Sequence, residues 1–529
     1  MPTFLDGQYN LAALTVPNVY VDVIPPSPFL AGVPTNIVGL VGVASWGPTN
    51  AVILASKPND AAFALGVPLS RGALGYKYDI ASYIWASSQV GGAIGYNCIR
   101  VTDGTDIAAS AVIQSTCITI TAKYTGVLGN AIQFNIVSGT LANSSMLIVS
   151  MPGRAPEQFN NIVGAGNAFW VAAAAAINNG NSQRGPSMIV TASAGAGVAA
   201  PVLGTPVTLT GGTDGATGVT DATLVGQDTT PRKGMYALRS SGARAFTCCD
   251  LSDSTKYAII DSLALSENML AVHGTVSGDT ITTAAATRVT AGIDSFSSWL
   301  IVGDYPTFYD NQNQISRLIN PSAFGLGIVG NQSPEQSPLN KVLRGISATQ
   351  RSQTGQTYSN QELSAAELGG IDIIIGPPTT WGGNYFTFAT GRNTSSNTAA
   401  QGIEYSTMIN FLAATAQSTA VGALVGQLQS TKPNDPTRAK AKALFDGLSA
   451  QLAAPESGSS GQGMIDSWAV QCDLNNNPPS LQARGYLFIY WTVAFLNVIR
   501  YIVVKLAGGP AGIVTVTVQS TPPTPASIL

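Results

Sequence analysis

Charge is the scarcest property of this chain. Asp, Glu, Lys and Arg make up 10% of its 529 residues, well below the usual quarter, and a formal net charge of -3 leaves no basic stripe with which to neutralise phosphates. That argues against nucleic acid as a direct partner. One histidine, His273, cannot build a metal site by itself, and Cys and carboxylates do not recur at ligand spacing, so neither a metal nor another cofactor is expected. Ser277 and Asp279 follow His273 so closely that a catalytic triad would be cramped. A hydrolase using Ser277 and His273 is the enzymatic alternative that this spacing disfavours, and the chain is expected not to be an enzyme.

Other absences narrow the class further. The five cysteines, Cys98, Cys117, Cys248, Cys249 and Cys472, contain no CxxC pair, and the odd count fits reduced thiols in a cytoplasm. The start from Met1 to Asn10 is polar and carries no Lys or Arg, so no secretion signal is expected. The sequons Asn143-Ser144-Ser145 and Asn393-Thr394-Ser395 are accordingly read as chance. Gly485 to Leu506 is long and apolar enough to suggest a membrane span, but Asn497, Arg500 and Lys505 interrupt it and its Val, Ile, Tyr and Phe content favours strands; no membrane insertion is expected. Gly325, Gly327 and Gly330 spell GxGxxG without a βαβ unit or a following acid to support a dinucleotide site, and the run reads as a turn.

What is present is neutral and turn-rich. With 56 Gly and 30 Pro, the surface should be dominated by Ser, Thr, Asn and Gln, which suits extensive neutral contacts better than life as a dilute monomer. The length should make about three domains. Both ends carry detached strands. Asn18, Val19, Tyr20, Val21, Asp22 and Val23 alternate in character ahead of Pro25-Pro26. Behind the hinge Ala507-Gly508-Gly509-Pro510, Ile513, Thr515 and Thr517 point one way and Val514, Val516 and Val518 the other. A strand with no hairpin partner nearby must pair with something. Pairing within the chain and exchange with neighbouring copies both remain open from the sequence, the second by strand addition to an exposed sheet edge.

In order along the chain, strands are expected at Asn36 to Val43, Ala51 to Ala55 and Ala93 to Val101, with a helix at Asp79 to Ser87. Cys117 to Val137 reads as strand, Gly-rich turn and strand, followed by a helix at Asn167 to Asn178 and a strand at Ser187 to Ala192. Helices are expected at Asp253 to Leu270, Glu404 to Leu428 and Thr437 to Ala453, and a strand at the end of Asp294 to Gly303. Ser467 to Leu474 and Arg484 to Thr492 are strands flanking the break Asn475-Asn476-Asn477-Pro478-Pro479, and a third run covers Val498 to Leu506.

The order of several of these segments resembles the contractile tail sheath proteins. PNVYVDV, PTNIVGLVGVASWGPTNAVIL and Phe63-Ala64-Leu65-Gly66 are similar to that family's opening, with Asn18 where glycine is usual. Ala122, Lys123, Tyr124, Gly126, Gly129 and Asn130 match the signature that opens its insertion domain, and Thr208 to Gly215 (TLTGGTDG) matches the element that closes it. Asn475 to Pro479 resembles its N-N-x-P feature. The middle, Ser333 to Asn397, matches weakly, because the family's tryptophan and paired arginines are missing.

The resemblance implies an α+β fold, multidomain with mixed β-sheets, a discontinuous core domain completed by terminal arms, and a β-rich insertion domain. The expected parts are an arm at 1–24, core at 25–112, a protruding insertion at 113–213 that polymerisation can do without, core and middle at 214–400, a C-terminal sheath domain at 401–506 and an arm at 507–529. It also implies a structural subunit that forms a helical homo-polymer around an inner tail tube protein, meets baseplate and tail terminator proteins, and contracts to drive the tube through a host envelope. The location would be the virion tail, assembled in the host cytoplasm. A non-contractile β-rich filament or surface adhesin is the alternative. Lys432, Arg438, Lys440 and Lys442 gather at the start of the helix that Asp435 caps and Pro436 begins, where cations oppose the macrodipole. They are either a solvated helix end or a basic patch for an acidic face of the tube.

Overall fold

The computed structural model describes residues 3–5, 21–23, 30–66, 77–91, 94–311, 313–376, 384–458 and 461–503. The chain divides into two units, 1–495 and 496–529, and the described residues 496–503 of the second carry no helix or strand. The third run expected at Val498 to Leu506 is therefore not a strand over its described part.

The first unit is organised by a six-stranded sheet in the order Ser298–Ile301, Leu270–Gly274, Ala245–Cys248, Ile37–Gly42, Gly95–Arg100, Val52–Ala55. The first five are mutually parallel and the last is antiparallel. Their sequences explain this: IVGLVG, AFTC, LAVHG and SWLI are almost wholly buried runs, as strands covered on both faces must be. Val38, Leu40 and Val272 enter one core with Ile80, Tyr83 and Ile84 of the helix Ile80–Gln89. Val41, Phe246 and Ala271 enter the other with Ile260 and Leu263 of the helix Tyr257–Ser266.

The GxGxxG run is the clearest correction. Ser322–Asn331 is an α-helix with residues 322 to 330 buried, not a turn. Each glycine allows a close approach. A Cβ on Gly325 would lie 2.8 Å from Ile301, one on Gly327 2.7 Å from the Ser87 carbonyl, and one on Gly330 3.0 Å from Ile94 and Val38. The helix lies so close to the sheet and to Ile80–Gln89 that any side chain at these positions would press on its neighbours.

Two expected helices are shorter than their apolar patterns. After the 3-10 turn Ser254–Lys256, the helix Tyr257–Ser266 stops where Asn268 takes φ 55°, which frees Leu270 to begin a central strand. Ile403–Ala416 ends before the short helix Thr419–Gly422. By contrast Pro436–Ala453 starts as expected: Asp435 accepts the Arg438 backbone N–H at 2.9 Å.

A third core belongs to two small sheets. Val190–Ala194, Ile118–Ala122 and Ser110–Ile113 form one, and Glu157–Ile162, Ser145–Ser150, Gln133–Ser138 and Val207–Thr208 the other. The helix Asn167–Asn179 packs with them through Phe169, Trp170 and Ile177. Trp46, from the turn after Ile37–Gly42, is buried in this same core and meets the Tyr124 ring edge-on at 5.6 Å. Arg100, fully buried, donates to the carbonyls of Ala44, Gly47, Thr125 and Asp214 and to the Thr125 hydroxyl. One guanidinium thus ties the central sheet to both chain crossings at the base of this core.

Candidate assembly surfaces

The C-terminal part of the first unit carries an antiparallel pair, Ile465–Gln471 with Tyr490–Phe495, registered Trp468 to Val493 and Val470 to Trp491. One face rests on the helix Pro436–Ala453: the Trp491 indole N–H donates to Ser449 at 2.9 Å, and its ring meets Phe445 at 5.0 Å. On other positions Trp468 and Tyr490 remain exposed. Among the described residues each strand has one strand partner, so the outer edge of each carries a row of backbone donors and acceptors that no described strand pairs.

Two asparagines hold the connection open and rigid. Asn476 donates to the Gln471 and Phe488 carbonyls at 2.9 and 3.0 Å, and Asn477 donates to Phe488 O at 2.9 Å and accepts its N–H at 2.6 Å. An amide side chain, both donor and acceptor, stands in for the strand that a tight hairpin would have supplied. The chain between the strands turns through the short helix Pro479–Gln482, so the second strand starts at Tyr490 rather than at Arg484.

Val21–Val23 is a strand, paired in parallel with Thr3–Leu5 of the same chain. Asn18, Val19 and Tyr20, and the whole of Ile513, Val514, Thr515, Val516, Thr517 and Val518, lie outside the described residues.

The basic cluster does not hold together as a surface. Arg438 is buried, and its guanidinium donates to the carbonyls of Ser430 and Lys432, 3.9 Å from Asp435. It fastens the loop ahead of the helix and is not available to a partner. Its position shows why: Arg438, Ala441, Phe445 and Leu448 fall at helical spacing on the buried side. Lys442 pairs with Asp446 at 2.9 Å. Lys432 and Lys440 are exposed.

No family model and no curated protein matches this sequence. Solved structures do match its fold. A sheath tail protein from Listeria innocua superposes with a TM-score of 0.57 at 14% identity, over 88% of this chain and 96% of that one. A sheath tail protein from Desulfitobacterium hafniense gives 0.52 at 15%, over 90% and 100%, and the contracted helical sheath of the anti-feeding prophage gives 0.51 at 10%, over 93% and 99%. The chain has the tail sheath fold.

In this sheath fold the would-be triad is dispersed. His273 is buried with Nε2 2.8 Å from Asp261 Oδ1 and its ring 4.6 Å from that of Tyr257. Ser277 exchanges hydrogen bonds with Gln350, and Asp279 accepts from the Thr280 N–H. The histidine is a satisfied core residue. Asn393, the second sequon, is fully buried and donates to Ala400 O and Ser406, so it cannot carry a glycan in the folded chain. All five cysteines are buried and free, and burial pushes the Cys98, Cys248 and Cys249 thiols well up, which makes them poor nucleophiles. Among the described residues no His, Cys, Asp and Glu group could hold a metal ion, and no helix is long and apolar enough to cross a membrane.

Proposed function

We propose that this chain is the subunit of a contractile tail sheath, polymerising helically around an inner tube and contracting to drive the tube through a host envelope. The observation that carries the reading is the pair Ile465–Gln471 and Tyr490–Phe495, its connection held by Asn476 and Asn477 and its inner face seated on the helix Pro436–Ala453 through Trp491, within a fold shared along most of its length with sheath tail proteins. Such a pair is a receptor for strands. The segments Asn18 to Val23 and Ile513 to Val518 are the strands that neighbouring copies would add to its edges, main-chain hydrogen bonds giving strength and alternate side chains giving register.

A mesh joined by exchanged strands survives rotation of the subunit bodies, which slide on largely neutral contacts. The free energy for movement resides in the difference between two lattices, so no nucleotide is required. Lys432, Lys440 and Lys442 would face the tube, without Arg438. Baseplate and terminator proteins would cap the two ends, and the site of action would be the tail of a virion or similar particle. Removing the residues after Gly509 tests the exchange: the full chain should sediment as polymer and the shortened one as folded monomer. Polymer from the shortened chain would refute the role of the final strand.

A further inference from the structure

Among the described residues the arginines and carboxylates of this sparsely charged chain are nearly all partnered within the fold, whereas Lys57, Lys233, Lys341, Lys432 and Lys440 form no ion pair. From residue 30 onwards every described arginine except Arg344 has a hydrogen-bond, ion-pair or ring partner. Every described carboxylate over the same range except Glu456 and Asp466 has a partner as well. These exceptions are exposed and lie in two stretches of the chain, Arg344 in one and Glu456 with Asp466 in the other. Arg344 lines an open cleft of about 330 Å³ together with Lys341, which is also without an ion pair, and the amides of Asn331, Gln332 and Gln336. Among the described residues the cleft wall contains no carboxylate. Glu456 follows the helix Pro436–Ala453, and Asp466 stands at the start of the strand Ile465–Gln471.

An arginine whose planar fork is matched by no described residue of its own chain, set in a cleft of amide donors and acceptors, is built to receive a carboxylate. We propose that Lys341 and Arg344 of one copy receive Glu456 and Asp466 of the next. This rests on the sheath reading and names one of its contacts. The two patches are different surfaces, so the contact is heterologous and repeats head to tail, which generates a ring or a helix rather than a closed dimer. The pairs sit at the surface, so salt screens them: the Debye length falls from about 10 Å at 0.1 M to about 3 Å at 1 M.

The test is a charge exchange in the full-length chain, read as the concentration needed for polymer by sedimentation, with circular dichroism to verify folding. Lys341→Glu with Arg344→Glu, and separately Glu456→Lys with Asp466→Lys, should each raise that concentration about tenfold or more, since each reversal replaces two attractions by two repulsions. Combining all four substitutions in one chain should bring it back near the wild-type value. Reversals that leave the concentration unchanged, or a fourfold variant that does not recover, overturn this contact while leaving the sheath reading intact. A wild-type chain that never polymerises overturns both.

Discussion

Replacing Arg100 by Met should loosen the joint between the small-sheet core and the central sheet, which Trp46 also spans, without unfolding either. The wild-type guanidinium makes five hydrogen bonds, to Ala44 O at 3.1 Å, Gly47 O at 2.6 Å, Thr125 O and Oγ1 at 2.9 Å and Asp214 O at 3.0 Å. At about 1.5 kcal/mol net for each bond to a charged donor the gross loss is about 7.5 kcal/mol. Burial lowers the Arg100 pKa from its usual value, and taking a guanidinium out of water costs on the order of several kcal/mol, which Met does not incur. The net destabilisation should be about 3 kcal/mol, concentrated where the lost acceptors lie. Urea unfolding followed by tryptophan emission measures the total, with Trp46 and Trp170 both in the small-sheet core. Hydrogen exchange locates it, and residues 125–132 and 209–216 should exchange faster while residues 37–42 and 270–274 keep their protection. A variant within about 0.5 kcal/mol of wild type, or exchange that rises evenly everywhere, would refute the idea that this side chain is a principal tie at the joint.

Other substitutions probe the core more simply. Gly327→Ala brings a methyl 2.7 Å from the Ser87 carbonyl and 2.9 Å from its Cα, so overpacking of about 3 kcal/mol should outweigh a helix-propensity gain of about 1 kcal/mol, giving a lower urea midpoint. Asp372→Asn turns an amide NH2 toward donors, because Ile373 and Thr390 N–H donate to Oδ1 and the Trp299 indole and Gly391 N–H to Oδ2; about 3 kcal/mol should be lost. Burial pushes the Asp250 carboxyl up to about 6. With the folded pKa raised above its unfolded value near 4, the associated stability is present below about pH 4 and lost as pH rises through about 6. The stability of wild type relative to Asp250→Asn should therefore fall by about 2 kcal/mol between pH 4 and pH 7, and a difference that does not vary with pH would contradict this assignment.

How much of this was legible in the sequence depends on where each partner lies. The buried runs IVGLVG and SWLI, and the Asp79 and Asp435 caps, announce strands and helices because the signal is local. Gly325, Gly327 and Gly330 mislead, since glycine marks a turn and a close helix contact alike, and only the distances to Ile301, Ser87 and Val38 tell them apart. Arg438 was readable in principle from its helical spacing with Ala441 and Phe445, but its charge suggested a surface. Arg100 could not be read at all, because its acceptors come from three stretches of chain brought together by folding. The same holds for Arg344: what distinguishes it is the lack of a partner among the described residues, a property that exists only once the other charges have been placed.

The central claim is that copies of this chain are joined by strands added to the pair Ile465–Gln471 and Tyr490–Phe495. A helical reconstruction by electron microscopy of polymer grown from the purified chain tests it most directly. The account predicts a tube whose subunits each carry extra strands on the outer edges of that pair, contributed by Asn18 to Val23 or Ile513 to Val518 of neighbouring copies. A tube in which both edges remain bare, with every contact made between subunit bodies, would contradict it.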